Sequence, residues 1–375
     1  MAETQTTPDE LDERLGDDDL TVVDVRHADS YENWHVPGSK NVDVYDELKE
    51  DDEAAADALA ELPEGEVVTV CGVGKVAADA AELMRQMGYE ATTLADGMVG
   101  WSRVHRTADV DAELDATVVQ VARPGTGCLS HIVISDGEAA VFDPSSYIDE
   151  YEEVIDRQGA TVVGVFDTHA HADHVSGGGE LAERVGAPYH LHPADDLGVD
   201  ATPVGDGDEF GVGNVVVEVV GTPGHSPGTV SYAVRNEDAT EDEVLLTGDT
   251  LFHDTVGRVE LGVDAGIEDA DVRENAETLY GSLTRLVDRD GDPLVLPAHH
   301  PDTPNPPYTA RMSEVEERNN GLCRPRDEFI CTLANDVPQQ PPNFERIKRI
   351  NAGAEEVGDD EIEELEAGPN NCAAE

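Results

Sequence analysis

The stretch VVGVFDTHAHADHVSGG, residues 162–178, runs from an apolar β-type segment straight into His169, His171, Asp173 and His174. Side chains alternate along a strand with a period of two, so His169 and His171 leave its terminus on the same side. Asp173 and His174 follow after the chain turns and are spaced to meet a second metal position. Three later residues repeat the arrangement of an apolar strand ending in a ligand type: His225 in GTPGHSPGT, Asp249 in LLTGDTLF and His299 in LVLPAHH, where His300 competes with it. All of them should gather at one sheet edge. His131, His190, His192 and His253 lack such surroundings and read as core or surface residues.

Outward from this stretch, paired strands and turns dominate from Thr117: Val118 to Ala122, His131 to Ser135, Ala139 to Asp143, and a strand-rich block from Asp206 to Val234. Helical spacing fits residues 147–158, about 271–287 and 312–319. Before residue 105 the texture is different. Thr7, Pro8 and Glu10 cap a short helix, Leu20 to Val25 and Val67 to Val70 read as strands, and residues 54–62 and 77–87 read as helices, the latter stopped by Gly88. Strands alternating with helices imply a parallel sheet covered on both faces. At 375 residues the chain is long enough for two compact units. The polar residues 106–116 read as a linker and the acidic residues 351–375 as a disordered tail.

The formal charge is −60, from 83 acidic and 23 basic residues, with lysine only at positions 40, 49, 75 and 348. A surface this negative repels nucleic-acid phosphates and anionic lipid heads, so neither is an expected partner. Such self-repulsion is tolerable where salt screens it, which points to a salt-adapted, haloarchaeal-type protein. The N-terminal residues lack a basic and apolar leader pattern, and no stretch approaches the length of a membrane span, so a cytoplasmic location is expected. Five widely spaced cysteines do not suggest a disulfide framework. Cys71 stands apart because it follows the strand VVTV and precedes GVGKV and a helix. Such a loop turns backbone amides toward the sulfur near a helix N-terminus, which favours a thiolate and binds anions; Lys75 would add positive charge. Cys128, Cys323, Cys331 and Cys372 read as structural or incidental.

The Cys71 loop, together with DVR (Asp24 to Arg26), HVPGS (His35 to Ser39) and DGMVGW (Asp96 to Trp101), resembles the rhodanese family over residues 8–105. That resemblance implies that Cys71 carries a sulfane sulfur as a persulfide; Lys75-Val76 stand where the family often has arginine followed by serine or alanine. Residues 117–350 resemble the metallo-β-lactamase superfamily through HxHxDH and its three later ligands, which implies an αββα sandwich. Two chemistries are open within it. A dizinc thioester hydrolase of the glyoxalase II type would use His169, His171 and His225 on one Zn(II), Asp173, His174 and His299 on the other, and Asp249 between them. In the persulfide dioxygenase branch, which the domain resembles most, one Fe(II) per chain would be held by the matching residues His169, His225 and Asp249. His171, Asp173, His174 and His299 would then orient those ligands and water. Fusion to a rhodanese-like domain, Arg258 nine residues after Asp249 as a substrate-binding group, and the ending PPNFERIKRIN (Pro341 to Asn351) favour the dioxygenase.

The resulting expectation is a two-domain enzyme that oxidises a low-molecular-weight thiol persulfide to sulfite and exchanges sulfur with thiosulfate or sulfite through Cys71. The carrier thiol and a homo-oligomeric state are left open. The charge makes a direct prediction. The melting temperature should rise steeply between dilute buffer and about 1 M KCl, where the Debye length has fallen to ~3 Å. A thermal melt by circular dichroism that is flat across that range would contradict salt adaptation.

Overall fold

Short apolar runs separated by amphipathic helices order the first unit. In the computed structural model, which describes residues 5–50, 52–63, 65–241, 243–264, 266, 271–300, 306–335 and 340–366, this unit comprises Met1–Val104 and Arg123–Thr126. Strands β1 (Gln5–Thr6), β2 (Leu20–Asp24), β3 (Lys40–Asn41), β4 (Glu66–Val70) and β5 (Glu90–Leu94) form a parallel sheet in the order β1-β5-β4-β2-β3. The helix Pro8–Glu13 opens with a capping box: the Thr7 hydroxyl accepts from the Glu10 amide at 3.2 Å, and the Glu10 carboxylate accepts from the Thr7 amide at 2.9 Å. The helix Lys75–Met87 buries Ala77, Ala80, Ala81 and Met84 at helical spacing and ends at the left-handed Gly88. Cys71 lies at the C-terminal end of β4, between strand and helix.

The second unit, His105–Ala122 with Gly127–Glu366, is built from two sheets. The first contains β6 (Arg106–Val110), β7 (Thr117–Arg123), β8 (Cys128–Ser135), β9 (Glu138–Phe142), β10 (Thr161–Phe166), β11 (Tyr189–Leu191) and β12 (Thr202–Pro203), in the order β12 through β6. The second contains β13 (Glu209–Val212), β14 (Val215–Gly221), β15 (Val230–Asn236), β16 (Val244–Gly248), β17 (Leu294–Pro297) and β18 (Ala310–Arg311), in sequence order. Their inner faces meet through Val133, Phe142 and Phe166 on one side and Val217, Tyr232 and Leu246 on the other. Each fully buried side chain of this size stabilises the fold by about 1.5–3 kcal/mol. Helices Ile148–Gln158 and Gly178–Val185 cover the outer face of the first sheet, and Val272–Val287, Met312–Arg318 and Arg326–Asn335 cover that of the second. The result is the expected αββα sandwich. Parallel pairing of β16 with β17 brings their C-terminal ends, and with them Asp249 and His299, to the same edge.

Two expectations are corrected. The stretch 106–116 is not all linker, because Arg106–Val110 is the edge strand β6, antiparallel to β7. An edge strand buries only part of its surface; here Val110 alone joins the core, so the segment reads as polar. The acidic C-terminal stretch is not uniformly disordered either. Asp359–Glu366 is a helix that buries Leu365, and the Glu366 carboxylate accepts from the Val175 amide at 2.8 Å. Residues 367–375 lie outside the described residues.

The helix Phe344–Asn351 ends on the loop that carries the histidine cluster. Asn351 Nδ2 donates to the carbonyls of His171 at 3.0 Å and His174 at 2.6 Å, and its Oδ1 accepts from the Ser176 amide at 2.9 Å. Replacing Asn351 with Ala leaves these buried backbone groups without their partner and should cost about 1–3 kcal/mol. Urea unfolding in high salt measures this. A loss below about 0.5 kcal/mol, the range of an ordinary surface substitution, would contradict the role.

Candidate metal centre and cysteine loop

Cys71 is 2 % exposed, and its Sγ accepts from the Ala77 amide at 3.4 Å. The loop curls tightly because its carbonyl accepts from the Met98 amide at 2.9 Å, and because a Cβ on Gly97, at φ +59°, would stand 2.1 Å from the Cys71 carbonyl oxygen. This explains the DGMVGW motif. The DVR motif is structural as well: Asp24 is fully buried and accepts from Arg26 Nη2 at 2.6 Å. Lys75 is the first residue of its helix and is exposed.

In the second unit the seven residues marked by sequence do converge, and all are buried. His169, from the loop after β10, shares a 2.9 Å hydrogen bond between Nδ1 and the Thr168 hydroxyl, and His171 Nε2 donates to Asp143 Oδ1 at 3.0 Å. Thr168 is fixed in turn by Asp143, which accepts from its amide at 2.7 Å. His225 Nδ1 donates to the Arg258 carbonyl at 2.8 Å, which leaves Nε2 to face inward. Asp249 follows Gly248, whose positive φ of 51° places it so close to Thr168 that a Cβ would approach Oγ1 to 2.6 Å. His299 lies between two carboxylates, with Nδ1 2.8 Å from Asp249 Oδ1 and Nε2 2.7 Å from Asp173 Oδ2. His300 points elsewhere and stacks on Tyr308, so His299 is the histidine of this pair that joins the cluster.

Charge follows from these contacts. Burial lowers the proton affinity of His169 and His225, and both stay neutral near pH 7. Burial also opposes charge on Asp249 and Asp173, but neighbouring histidines outweigh it and hold both carboxyls below their usual range. His299 is the converse: burial disfavours its charged form, yet Asp249 and Asp173 raise it well above the ordinary histidine value.

A metal fits this arrangement. His169 Nε2, His171 Nδ1, Asp173 Oδ1, His174 Nε2, His225 Nε2 and Asp249 Oδ2 are buried and have no hydrogen-bond partner. A buried unsatisfied polar atom ordinarily costs about 1–3 kcal/mol, so six in one cluster fit a site for cations. His169, His225 and Asp249 present ligand atoms within 4.8 Å of one another, as do Asp173, Asp249 and His299.

Arg258 is buried, its Nε and Nη2 donate to Glu260 Oε1 at 2.7 and 2.5 Å, and its carbonyl accepts from His225 Nδ1. One expectation changes. Cys128, read as incidental, lies in the cluster, with Sγ 3.1 Å from Asp173 Oδ2. Asp143 and Asp195 were missed. Asp195 ties two ligand loops together by accepting from the Ala170 amide at 2.9 Å and from the Ser226 hydroxyl at 2.6 Å. Asp143 had a readable signal, since it follows the apolar strand AAVF much as Asp249 follows VLLTG. Lys348 is buried as well, and its charge adds to the lowering of His169 and His225.

Residues 7–104 match the rhodanese-like domain and residues 123–299 match the metallo-beta-lactamase superfamily. A probable metallo-hydrolase, YqgX, of Bacillus subtilis strain 168 is 31 % identical over 46 % of this chain and 85 % of its own length. A hydroxyacylglutathione hydrolase of Brucella ovis is 31 % identical over 55 % of this chain and 77 % of its own length. Among solved structures, ETHE1 from Myxococcus xanthus is 26 % identical with a TM-score of 0.52, covering 63 % of this chain and 98 % of that one. A metallo-beta-lactamase from Staphylococcus aureus shares the fold at 24 % identity and a TM-score of 0.58, over 65 % of this chain and 74 % of that one. The chain belongs to the metallo-beta-lactamase superfamily. It carries a rhodanese-like domain ahead of that domain and is related to ETHE1 and to glyoxalase II-type hydrolases. Among the described residues, no helix is long and apolar enough to cross a membrane.

Because burial holds His169 and His225 in the neutral, metal-binding form, protons should displace bound metal only below the ordinary histidine pKa of about 6.5. Metal content after dialysis across a pH series should show half-loss on the acid side of that value. Half-loss at or above it would contradict the electrostatic account.

Proposed function

We propose that the second unit is a non-haem iron persulfide dioxygenase acting on a low-molecular-weight thiol persulfide, and that the first is a sulfurtransferase working through a Cys71 persulfide. The observation that carries this reading is the set His169, His225 and Asp249: two histidines and a carboxylate, buried, with His169 Nε2, His225 Nε2 and Asp249 Oδ2 facing one another without a hydrogen bond. They share a chain with a cysteine loop suited to sulfane sulfur. Two imidazoles and a carboxylate are the donor set of non-haem Fe(II) oxygenases. One Fe(II) bound there would supply open positions for an anionic sulfur and for dioxygen. The full dizinc ligand set and the likeness to a hydroxyacylglutathione hydrolase favour a second reading, a dizinc hydrolase of acylated thiols.

The chain's own residues hold the geometry. The Arg258 carbonyl and the Thr168 hydroxyl fix the ring orientations of His225 and His169, and Asp143 fixes His171. Burial of the cluster excludes bulk water, which strengthens every charge interaction within it. His299, with Nδ1 2.8 Å from Asp249 and Nε2 2.7 Å from Asp173, ties the two carboxylates together, and they raise its proton affinity. The overall reaction is R–S–SH + O2 + H2O giving RSH, sulfite and two protons: the S–S bond breaks, its electron pair leaves with the carrier thiol, and the terminal sulfur is oxidised. At Cys71 the thiolate takes the outer sulfur of thiosulfate and releases sulfite, or the same exchange runs in reverse.

Protein purified anaerobically in high salt should contain about one iron per chain and consume oxygen only when a thiol persulfide is added. His225→Ala should lose both the iron and the oxygen uptake. Two zincs per chain, no oxygen uptake and hydrolysis of an acyl-thiol would replace this reading with the hydrolase.

A further inference from the structure

Lys348 is 1 % exposed, whereas the other three lysines, at positions 40, 49 and 75, lie exposed on the surface. Its helix, Phe344–Asn351, sets it on one face with Phe344 four residues before it and Asn351 three residues after. That face lies on the histidine loop: Phe344 shares a buried apolar cluster with Ala172, and Asn351 donates to the carbonyls of His171 and His174. Contacts one turn away on either side thus hold Lys348 against the ligand loops. It lines a small cavity together with Ala170, which stands between His169 and His171, and Pro227, two residues after His225. Asp195 lines the same cavity, with its oxygens turned to the Ala170 and Gly228 amides and the Ser226 hydroxyl. Leu197 is exposed and also lines it, so the cavity reaches the protein surface. The positive charge of Lys348 extends to both His169 and His225, where it opposes their protonation.

We infer that Lys348 is an anion-binding residue of the metal centre, its ammonium receiving the anionic end of the substrate between the loops of His169 and His225. The charge balance of the chain calls for such a group. A net charge of −60 opposes the approach of any anion, and the salt that screens exposed charges acts much less on a buried one. A cation at the inner end of a cavity therefore keeps its attraction where surface charges lose theirs. The placement also accounts for a buried ammonium beside a site for cations, where like charges repel: it disfavours the metal alone and favours metal and anion bound together. The identity of the anion, the terminal sulfur of a thiol persulfide, rests on the dioxygenase reading; the charge that receives it does not.

The test is anion binding to the full-length protein loaded with Co(II), at a fixed high KCl concentration, followed through the visible cobalt bands. Azide is the anionic probe and imidazole the neutral one. Lys348→Met removes the charge and keeps the length of the side chain; it should weaken azide about ten-fold, leave imidazole within about two-fold, and hold Co(II) at least as tightly as the wild type. Lys348→Arg should restore most of the azide affinity. A lysine with a purely structural role would lose Co(II), azide and imidazole together. Azide affinity unchanged in folded Lys348→Met, an equal loss of imidazole, or a fall in Co(II) affinity would overturn the assignment. Should Lys348→Met fail to fold, wild-type crystals grown with KBr in place of KCl decide: an anomalous bromide peak in contact with Lys348 Nζ is expected, and its absence would overturn the assignment. Oxygen uptake is not read, so failure here is distinct from failure of the dioxygenase reading.

Discussion

Asp249 holds one carboxylate oxygen toward His299, at 2.8 Å, and the other toward His169 and His225, at 3.7 and 3.6 Å. A fully buried carboxylate is costly unless positive charge answers it, and here Asp249 faces His299, whose proton affinity it raises, and two histidines placed to share a cation with it. Much of the second unit serves this requirement. Parallel pairing of β16 with β17 delivers Asp249 and His299 to one edge, while Asp143 and Asp195 hold the loops that bring His169, His171 and His225 to them. The helix Phe344–Asn351 then closes on the carbonyls of His171 and His174.

Much of this was legible in the sequence, because each of the marked ligands follows a short apolar strand and strand ends at one sheet edge converge. Cys128 was not legible. It begins its strand instead of ending it, has no ligand-type neighbour before His131, and meets His299 only through a bridge between positions far apart in the chain. For Arg258, sequence shows the guanidinium's position and not its partner Glu260, two residues on. The edge strand Arg106–Val110 and the helix Asp359–Glu366 were missed for a shared reason: both bury little, and their polar composition, largely acidic in the helix, masks the few apolar contacts that fix them.

The first unit shows how short motifs become geometry. The glycine of DGMVGW is required because the backbone of the cysteine loop presses against it, and the aspartate of DVR is required because it is buried under Arg26. Val25 of the first motif shares a buried cluster with Cys71, and Gly97 and Met98 of the second press on the Cys71 carbonyl. Under the proposed function the two units are chemically matched, because the product of one would be the substrate class of the other.

The most direct test of that account is iron K-edge X-ray absorption on the anaerobic protein, before and after addition of a thiol persulfide. The account predicts an iron site with nitrogen and oxygen neighbours that gains a sulfur neighbour when the persulfide is added, with the change abolished by Asp249→Ala. An iron environment that the persulfide leaves unchanged, or a protein whose only bound metal is a zinc pair, would contradict it.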